Sequence, residues 1–385
     1  MKRELTIGYV TVDDPLDRRT WSGINNFLFE ALRRQVTEVI PIGPLRPRPV
    51  LFFCQVVNQV RWRLFGKRWN YRDSFIMARA YRRTLRRRVA GMDLIVAPAG
   101  LCTMALLDTQ VPIVYVNDRC TAGALDYHRI LTDLTERSRK ESLAVEQCTL
   151  ENADLVIYSS QWAADAAVAS NASVKNKVKV VPFGANLTEA PAPPTERVFP
   201  PAELKLLMLA VKWEDKGGPI AYEALQEVKR RGQAAKLVVC GVDPPEELDD
   251  PDLVREGFLN KNDPADMARL MEHLRTADLL ILPTRFEAYG LVFCEAAAYG
   301  LPVLASRTGG IPTIVQDGRT GFLFDLEANG GAYADRIMEL VRDPERWQAM
   351  RRSARERYAG TLTWEAFVHT LMGYVDEAGL ISRER

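Results

Sequence analysis

The densest run of chemistry-bearing residues is Leu282-Pro-Thr-Arg-Phe-Glu-Ala-Tyr-Gly-Leu-Val-Phe-Cys-Glu295. Its apolar start reads as a strand ending at Pro283, followed by a loop that holds Glu287. Gly290 permits close backbone approach, and a helix begins after it. The N-terminus of a helix leaves N–H groups unpaired and carries a partial positive charge, which suits a diphosphate. Glu287 and Glu295 stand eight residues apart, one in the loop and one a turn or so into the helix. Carboxylates placed there repel phosphate, so the chemistry open to them is to grip hydroxyls, one on a sugar and one on a ribose. The other reading is that both are acids at a helix start, favoured there by the helix dipole.

The elements that must hold such a loop follow from the apolar pattern. Leu5–Val10 is a strand-like run, 13–23 a polar loop, and Ile24, Phe27, Leu28, Ala31 and Leu32 mark one buried helical face. Further strands are expected at Val39–Ile42, Leu94–Ala97, Ile113–Val116, Leu155–Tyr158 and Val178–Val181. Strands separated by helices read as βαβ units of a parallel sheet. Residues 189–202 carry Pro191, Pro193, Pro194, Pro200 and Pro201 without apolar periodicity, the composition of a linker. The alternation then restarts, with strands at Leu204–Ala210, Leu237–Cys240, Leu279–Leu282 and Val303–Ala305. A helix follows the first of these through Ala221, Leu225 and Val228, and another spans Leu291–Tyr299. A chain of 385 residues suits two domains better than one core. The expected division is 1–188, a linker 189–202, a second domain 203–362, and a C-terminal helix in 363–385. That helix either caps the second domain or crosses back onto the first. Ligands of such open α/β sheets bind at the carboxyl ends of the strands.

With Glu295-Ala-Ala-Ala-Tyr-Gly-Leu-Pro-Val303, Thr308-Gly-Gly-Ile-Pro312 and Asp317-Gly-Arg-Thr-Gly-Phe-Leu323, the segment 284–324 resembles glycosyltransferase family four. That family carries an E-x7-E motif in this strand–loop–helix setting. The resemblance is specific over about 204–324. It reaches the N-terminal half through Trp21-Ser-Gly23, Ser159-Ser-Gln-Trp162 and Val181-Pro-Phe-Gly-Ala-Asn186. It implies an α/β fold of the GT-B class, two Rossmann-like domains facing a central cleft. The acceptor would bind in the first and a nucleoside-diphosphate sugar in the second. It also implies retention of anomeric configuration and no required metal.

Residue by residue, the resemblance assigns Lys216, in its Lys-Gly context, to the family's diphosphate clamp. Lys212 lies near the position of the partnering arginine, one residue closer, and a lysine is a point charge rather than a fork. Otherwise the two are surface lysines on a turn. The helix start at Tyr289, Gly290 and Leu291 is assigned to the nucleotide together with Glu295, and Glu287 to the sugar. Gly23 matches the glycine that lets a loop approach the donor phosphates, or it simply follows a helix N-cap at Ser22. Many members have a sugar-contacting histidine where Asp118 stands here, so Asp118 is the replacement candidate; an Asx turn at a strand end is the alternative. His128, His273 and His369 read as structural. Phe258 and Leu259 fall in the loop that lines the family's nucleobase pocket, although Phe258 also fits a core position.

Residues 46–88 stand outside this scheme. They hold 13 Arg or Lys against one acid, Asp73, interleaved with Leu51-Phe-Phe, Trp62, Leu64-Phe65, Trp69 and Tyr81. Such a mixture fits an anionic membrane surface, an anionic acceptor, or the solvated face of a helix pair. No recognition motif for nucleic acid accompanies the charge. The whole chain carries a formal charge of only +1, so bulk charge does not make it a polyanion binder. Six scattered cysteines without a C-x-x-C pair argue against zinc and disulfides. The N-terminus lacks a leader pattern, and no apolar run reaches the roughly 20 residues of a membrane span. A cytoplasmic protein is expected, on the inner face of the membrane if the basic stretch docks there. The expected reaction is retaining hexosyl transfer to a saccharide or lipid-linked acceptor. The rivals are a nucleotide-sugar epimerase of the same fold and a catalytically silent sugar-nucleotide binder.

Overall fold

A computed structural model of the chain describes residues 3–127 and 131–381. It divides into two compact units, one running to Pro182 and including the segment from Trp364, the other Phe183–Thr363.

In the first unit, β1 (Arg3–Val10), β2 (Val36–Ile42), β3 (Leu94–Pro98), β4 (Ile113–Asn117), β5 (Leu155–Tyr158) and β6 (Val178–Val180) form one sheet. Their order is β2-β1-β3-β4-β5-β6 and every pairing is parallel. Parallel strands are covered on both faces, which is why β3, and β4 up to its terminal Asn117, are apolar runs buried along their length. The helix Ile24–Gln35 buries Ile24, Leu28, Ala31 and Leu32. The C-terminal helix Trp364–Glu377 packs on it and buries Trp364, Phe367, Val368 and Leu371. Ion pairs Arg34–Glu365 and Arg3–Asp376, each at 2.6 Å, flank that packing.

The second unit contains β7 (Leu204–Leu209), β8 (Ala235–Cys240), β9 (Leu253–Gly257), β10 (Leu279–Leu282), β11 (Val303–Ser306) and β12 (Gly321–Phe324). The sheet order is β12-β11-β10-β7-β8-β9. Counted within the unit, this is the doubly wound order 3-2-1-4-5-6, whose strand direction of progression reverses between β7 and β10.

The proline-rich segment is not a free linker. Arg197 reaches the buried Asp278 carboxylate at 2.7 Å, and Phe199 stacks on Trp347 with ring centroids 4.0 Å apart. Arg351 and Arg355 donate to the carbonyls of Thr195 and Pro191. Prolines deny this stretch a helix or strand, but their unpaired carbonyls still accept side-chain donors, and the segment is fastened to the second unit. Residues 183–188 belong there too: the Ala185 N–H donates to the Leu362 carbonyl at 2.9 Å.

Candidate active site

At the switch point of the second sheet, two turns meet. One leaves β7 through Lys212–Gly217 into the helix Gly218–Arg230. The other leaves β10 through Pro283–Gly290 into the helix Leu291–Ala298. They are fastened together by the Arg285 N–H, which donates to the Asp215 carbonyl at 2.9 Å. Gly217 makes the approach feasible: its φ is 74°, and a Cβ there would stand 2.0 Å from the Pro283 carbonyl oxygen. Gly290, at φ 100°, is equally constrained, since a Cβ would lie 2.6 Å from the Phe293 ring and 3.2 Å from Glu287 Cγ. A side chain at Gly217 would force the two turns apart, and one at Gly290 would displace Phe293 and Glu287 of its own turn and helix.

This docking brings together two side chains 71 residues apart. Lys216 Nζ donates to Glu287 Oε2 at 2.5 Å, with the ammonium 5.7 Å from the Phe286 ring centroid. The side chains are 16% and 20% exposed, so the pair is shielded yet reachable. Neither helix start receives a side-chain cap, as Gly217 and Gly290 occupy both cap positions. Uncapped N–H groups from two helices therefore flank one ammonium and one carboxylate. Such a site can hold an anion at the helix starts and Lys216 while Glu287 accepts from a neighbouring hydroxyl. Lys212 is more exposed and lies 3.5 Å from Asp215, so its charge is partly answered within its own turn.

The other assigned residues separate. Glu295 is buried, and its Oε1 accepts from Lys261 Nζ at 2.6 Å. Lys261 ties the helix Leu291–Ala298 to the loop after β9; nothing in the local pattern singled it out, because its partner is 34 positions away. Phe258, in that same loop, is 72% exposed, which removes the core reading, whereas Leu259 is buried. Tyr289 departs from its assignment. Its side chain is buried, its hydroxyl donates to the Phe183 carbonyl at 2.8 Å, and its ring lies against the Phe183 ring. Only its backbone remains for a ligand. Leu291 is half-buried at the helix start.

Within the first unit, the backbone turns left-handed at three successive residues, Trp21, Ser22 and Gly23. Non-glycine residues in that region are strained, and such strain collects at functional loops. The helix cap is Gly23 rather than Ser22, and no side chain caps it. Trp21 Nε1 donates to Asp118 Oδ2 at 3.1 Å, so the Gly23 loop and Asp118 share one corner of this unit. The loop bearing Asp118 is held from below by a residue the sequence pattern did not mark. Glu146 is buried and accepts from the Thr121 N–H at 2.7 Å and from Cys120 Sγ at 3.2 Å. Burial pushes its carboxyl pKa up against these hydrogen bonds. Of the histidines, His273 is wedged between Lys205 and Glu256, and burial lowers its pKa. His369 is exposed, and His128 lies outside the described residues.

Residues 195–357 match the family model described as glycosyl transferases group 1. That match lies within the second unit, and over it the chain is similar to glycosyl transferases of the family-four type. It is 32% identical over 213 residues to the D-inositol 3-phosphate glycosyltransferase of Segniliparus rotundus, covering 51% of this chain and 46% of that protein. The enzyme of the same name from Corynebacterium diphtheriae is 26% identical over 295 residues, 71% of this chain and 66% of the relative. Both matches span less than two thirds of the relative's length. Among solved structures, Anabaena HepE in complex with UDP aligns with a TM-score of 0.63 at 17% identity, covering 98% of this chain and all of that one. Sucrose-phosphate synthase of Thermosynechococcus elongatus aligns with a TM-score of 0.59 at 19% identity, covering 97% and 99%. The fold is thus GT-B, built from two Rossmann-like units. Within the matched segment, Glu287 and Glu295 stand at the two ends of an E-x7-E spacing, and each is engaged by a lysine.

Proposed function

We propose that this protein is a retaining hexosyltransferase that uses a nucleoside-diphosphate sugar and no metal. The observation that carries the reading is the Lys216–Glu287 pair at the switch point between two uncapped helix starts. The diphosphate sits on the helix N-termini with Lys216 against a phosphate oxygen and Lys212 as the outer charge. Glu287, relieved of part of its partner, accepts from a sugar hydroxyl. As the anomeric carbon–oxygen bond to the diphosphate breaks, the acceptor hydroxyl oxygen bonds the same face and its proton passes to the departing diphosphate oxygen, while the cations, fixed before reaction, stabilise the departing charge. Glu295 and Lys261 serve the ribose, and exposed Phe258 offers a ring face to the base. The acceptor, a saccharide or lipid-linked saccharide, is assigned to the first unit, at the corner that holds the Gly23 loop and Asp118. The cytoplasm is the compartment in which its nucleotide-sugar donor is found.

The uridine diphosphate in the HepE complex names the first nucleotide to try. A thermal-shift screen across uridine, guanosine and adenosine diphosphates and their sugars tests the reading, because a ligand of the native state raises its apparent stability. One nucleoside diphosphate should stabilise the protein in EDTA. If none does at millimolar concentration, the donor site is misread.

A further inference from the structure

Most of the large apolar side chains that face water are gathered on one helix. Among the described residues, twelve large hydrophobics are exposed, and seven of them lie between Phe52 and Phe65. The helix Arg48–Phe65 fully buries only Cys54. At the helical advance of about 100° per residue, Phe52, Val56, Val60, Phe53 and Leu64 fall on one arc of about 120° on the outer side. Phe52 is 69% and Leu64 68% exposed, and Phe65 at the helix end is 70% exposed. An amphipathic helix of a globular domain turns its apolar stripe inward; this one carries its stripe outward. A contiguous exposed stripe of this kind marks a contact surface.

The charge around it states the chemistry of the partner. Residues 46–72 contain no acid, and Arg46, Arg48, Arg63 and Lys67 are exposed at or beside the stripe. On the next helix, Phe75–Arg88, five arginines (Arg79, Arg82, Arg83, Arg86 and Arg87) line an open cavity of about 1030 Å³. Among the described residues one ion pair tempers this cluster, Arg82 with Asp108 at 3.7 Å. No helix of the described chain is long and apolar enough to cross a membrane.

We propose that the helix Arg48–Phe65 docks this protein on an anionic bilayer, lying in the plane of the interface. Phe52, Phe53, Val56, Val60 and Leu64 enter the acyl boundary, and the surrounding arginines meet lipid phosphates. Apolar insertion and charge are both required, which separates this surface from a plain solvated basic face. The docking is independent of sugar transfer and is tested apart from it.

The experiment is co-sedimentation of the full chain with phosphatidylglycerol–phosphatidylcholine vesicles and with pure phosphatidylcholine vesicles, at low and high salt. The wild type should pellet with the anionic vesicles, and high salt should weaken this without abolishing it. Phe52→Ser, Phe53→Ser and Leu64→Ser combined should lower partitioning by about tenfold, because all three side chains are solvent-exposed and leave the fold intact. Affinity for nucleoside diphosphate should not change. Wild-type protein that stays in the supernatant at low salt overturns the proposal. So does equal partitioning of the triple variant, which would make the face a binder of anions by charge alone. Gel filtration showing a wild-type dimer and a monomeric triple variant would assign the stripe to a second copy of the chain, and would likewise overturn it.

Discussion

Replacing Lys216 with alanine separates two roles that the pair with Glu287 entangles. Lys216 Nζ lies 2.5 Å from Glu287 Oε2, largely shielded, so the ammonium already makes one charge-assisted bond before any ligand arrives. A hydrogen bond from a charged donor contributes about 1.5–3 kcal/mol. Lys216→Ala removes that bond to the diphosphate and also leaves the Glu287 carboxylate facing phosphate without its counterion. Both effects weaken binding, so affinity for the nucleoside diphosphate that stabilises the wild type should fall by about 2–3 kcal/mol, roughly 30- to 150-fold in Kd. Glu287→Gln acts in the opposite sense on the same ligand. It frees the ammonium and removes a like charge, so plain diphosphate should bind as tightly as to the wild type or up to about 1 kcal/mol tighter. Turnover of the intact sugar donor should nonetheless drop roughly 100-fold, because a neutral amide holds the sugar hydroxyl more weakly than the carboxylate does. The double variant should recover part of the loss, since residues in contact couple. Isothermal titration calorimetry with that nucleoside diphosphate, paired with turnover assays, reads all four corners. Wild-type affinity in Lys216→Ala refutes the clamp. A Glu287→Gln variant that loses as much diphosphate affinity as Lys216→Ala refutes the division of roles.

Three further outcomes are expected. Glu295→Gln should weaken plain diphosphate by about 1–2 kcal/mol in calorimetry, with Lys261→Ala following it, because the two residues form one bond across the nucleotide loop. Exhaustive EDTA should leave donor turnover intact, and a loss reversed by magnesium or manganese would overturn the metal-free reading. Glu146 has a folded pKa raised by burial, so the native state favours its protonated form. Its contribution to stability is present below the ordinary carboxyl pKa of about 4.3 and is lost as pH rises through the folded value. Glu146→Gln keeps an oxygen for the Thr121 N–H and cannot ionise, so its melting temperature should gain on the wild type as pH rises from about 4 to 8.

The sheets were legible because parallel strands, buried on both faces, appear as short unbroken apolar runs such as Leu94-Ile-Val-Ala97 and Leu279-Leu-Ile-Leu282. The Glu287 loop was legible from its strand–loop–glycine–helix signature. Pairing was not. Lys216 and Glu287 meet only because Gly217 admits the Pro283 carbonyl, and no local spacing encodes a contact between two turns of different strands. Lys261 escaped notice for the same reason. The assignment of Tyr289 rests on its position beside Gly290, and only the tertiary packing shows that its ring is turned onto Phe183, which leaves its backbone for a ligand. Residues 189–202 read as a linker from proline content, yet composition says nothing of the arginines elsewhere that seek those carbonyls. In 46–88 the excess of charge was plain in the sequence, but only the fold shows which face of Arg48–Phe65 is left uncovered.

The proposed sugar transfer with retention at the Lys216–Glu287 site is open to proton NMR of donor breakdown, with a panel of α-linked nucleoside-diphosphate sugars in water without acceptor. The matched donor should release nucleoside diphosphate and an α-configured free sugar before mutarotation, slowed roughly 100-fold in Glu287→Gln. A β-configured first product would contradict retention. A new nucleotide sugar or a free epimer would point to epimerase chemistry instead, and an unconsumed donor that still binds would leave the protein a silent sugar-nucleotide binder.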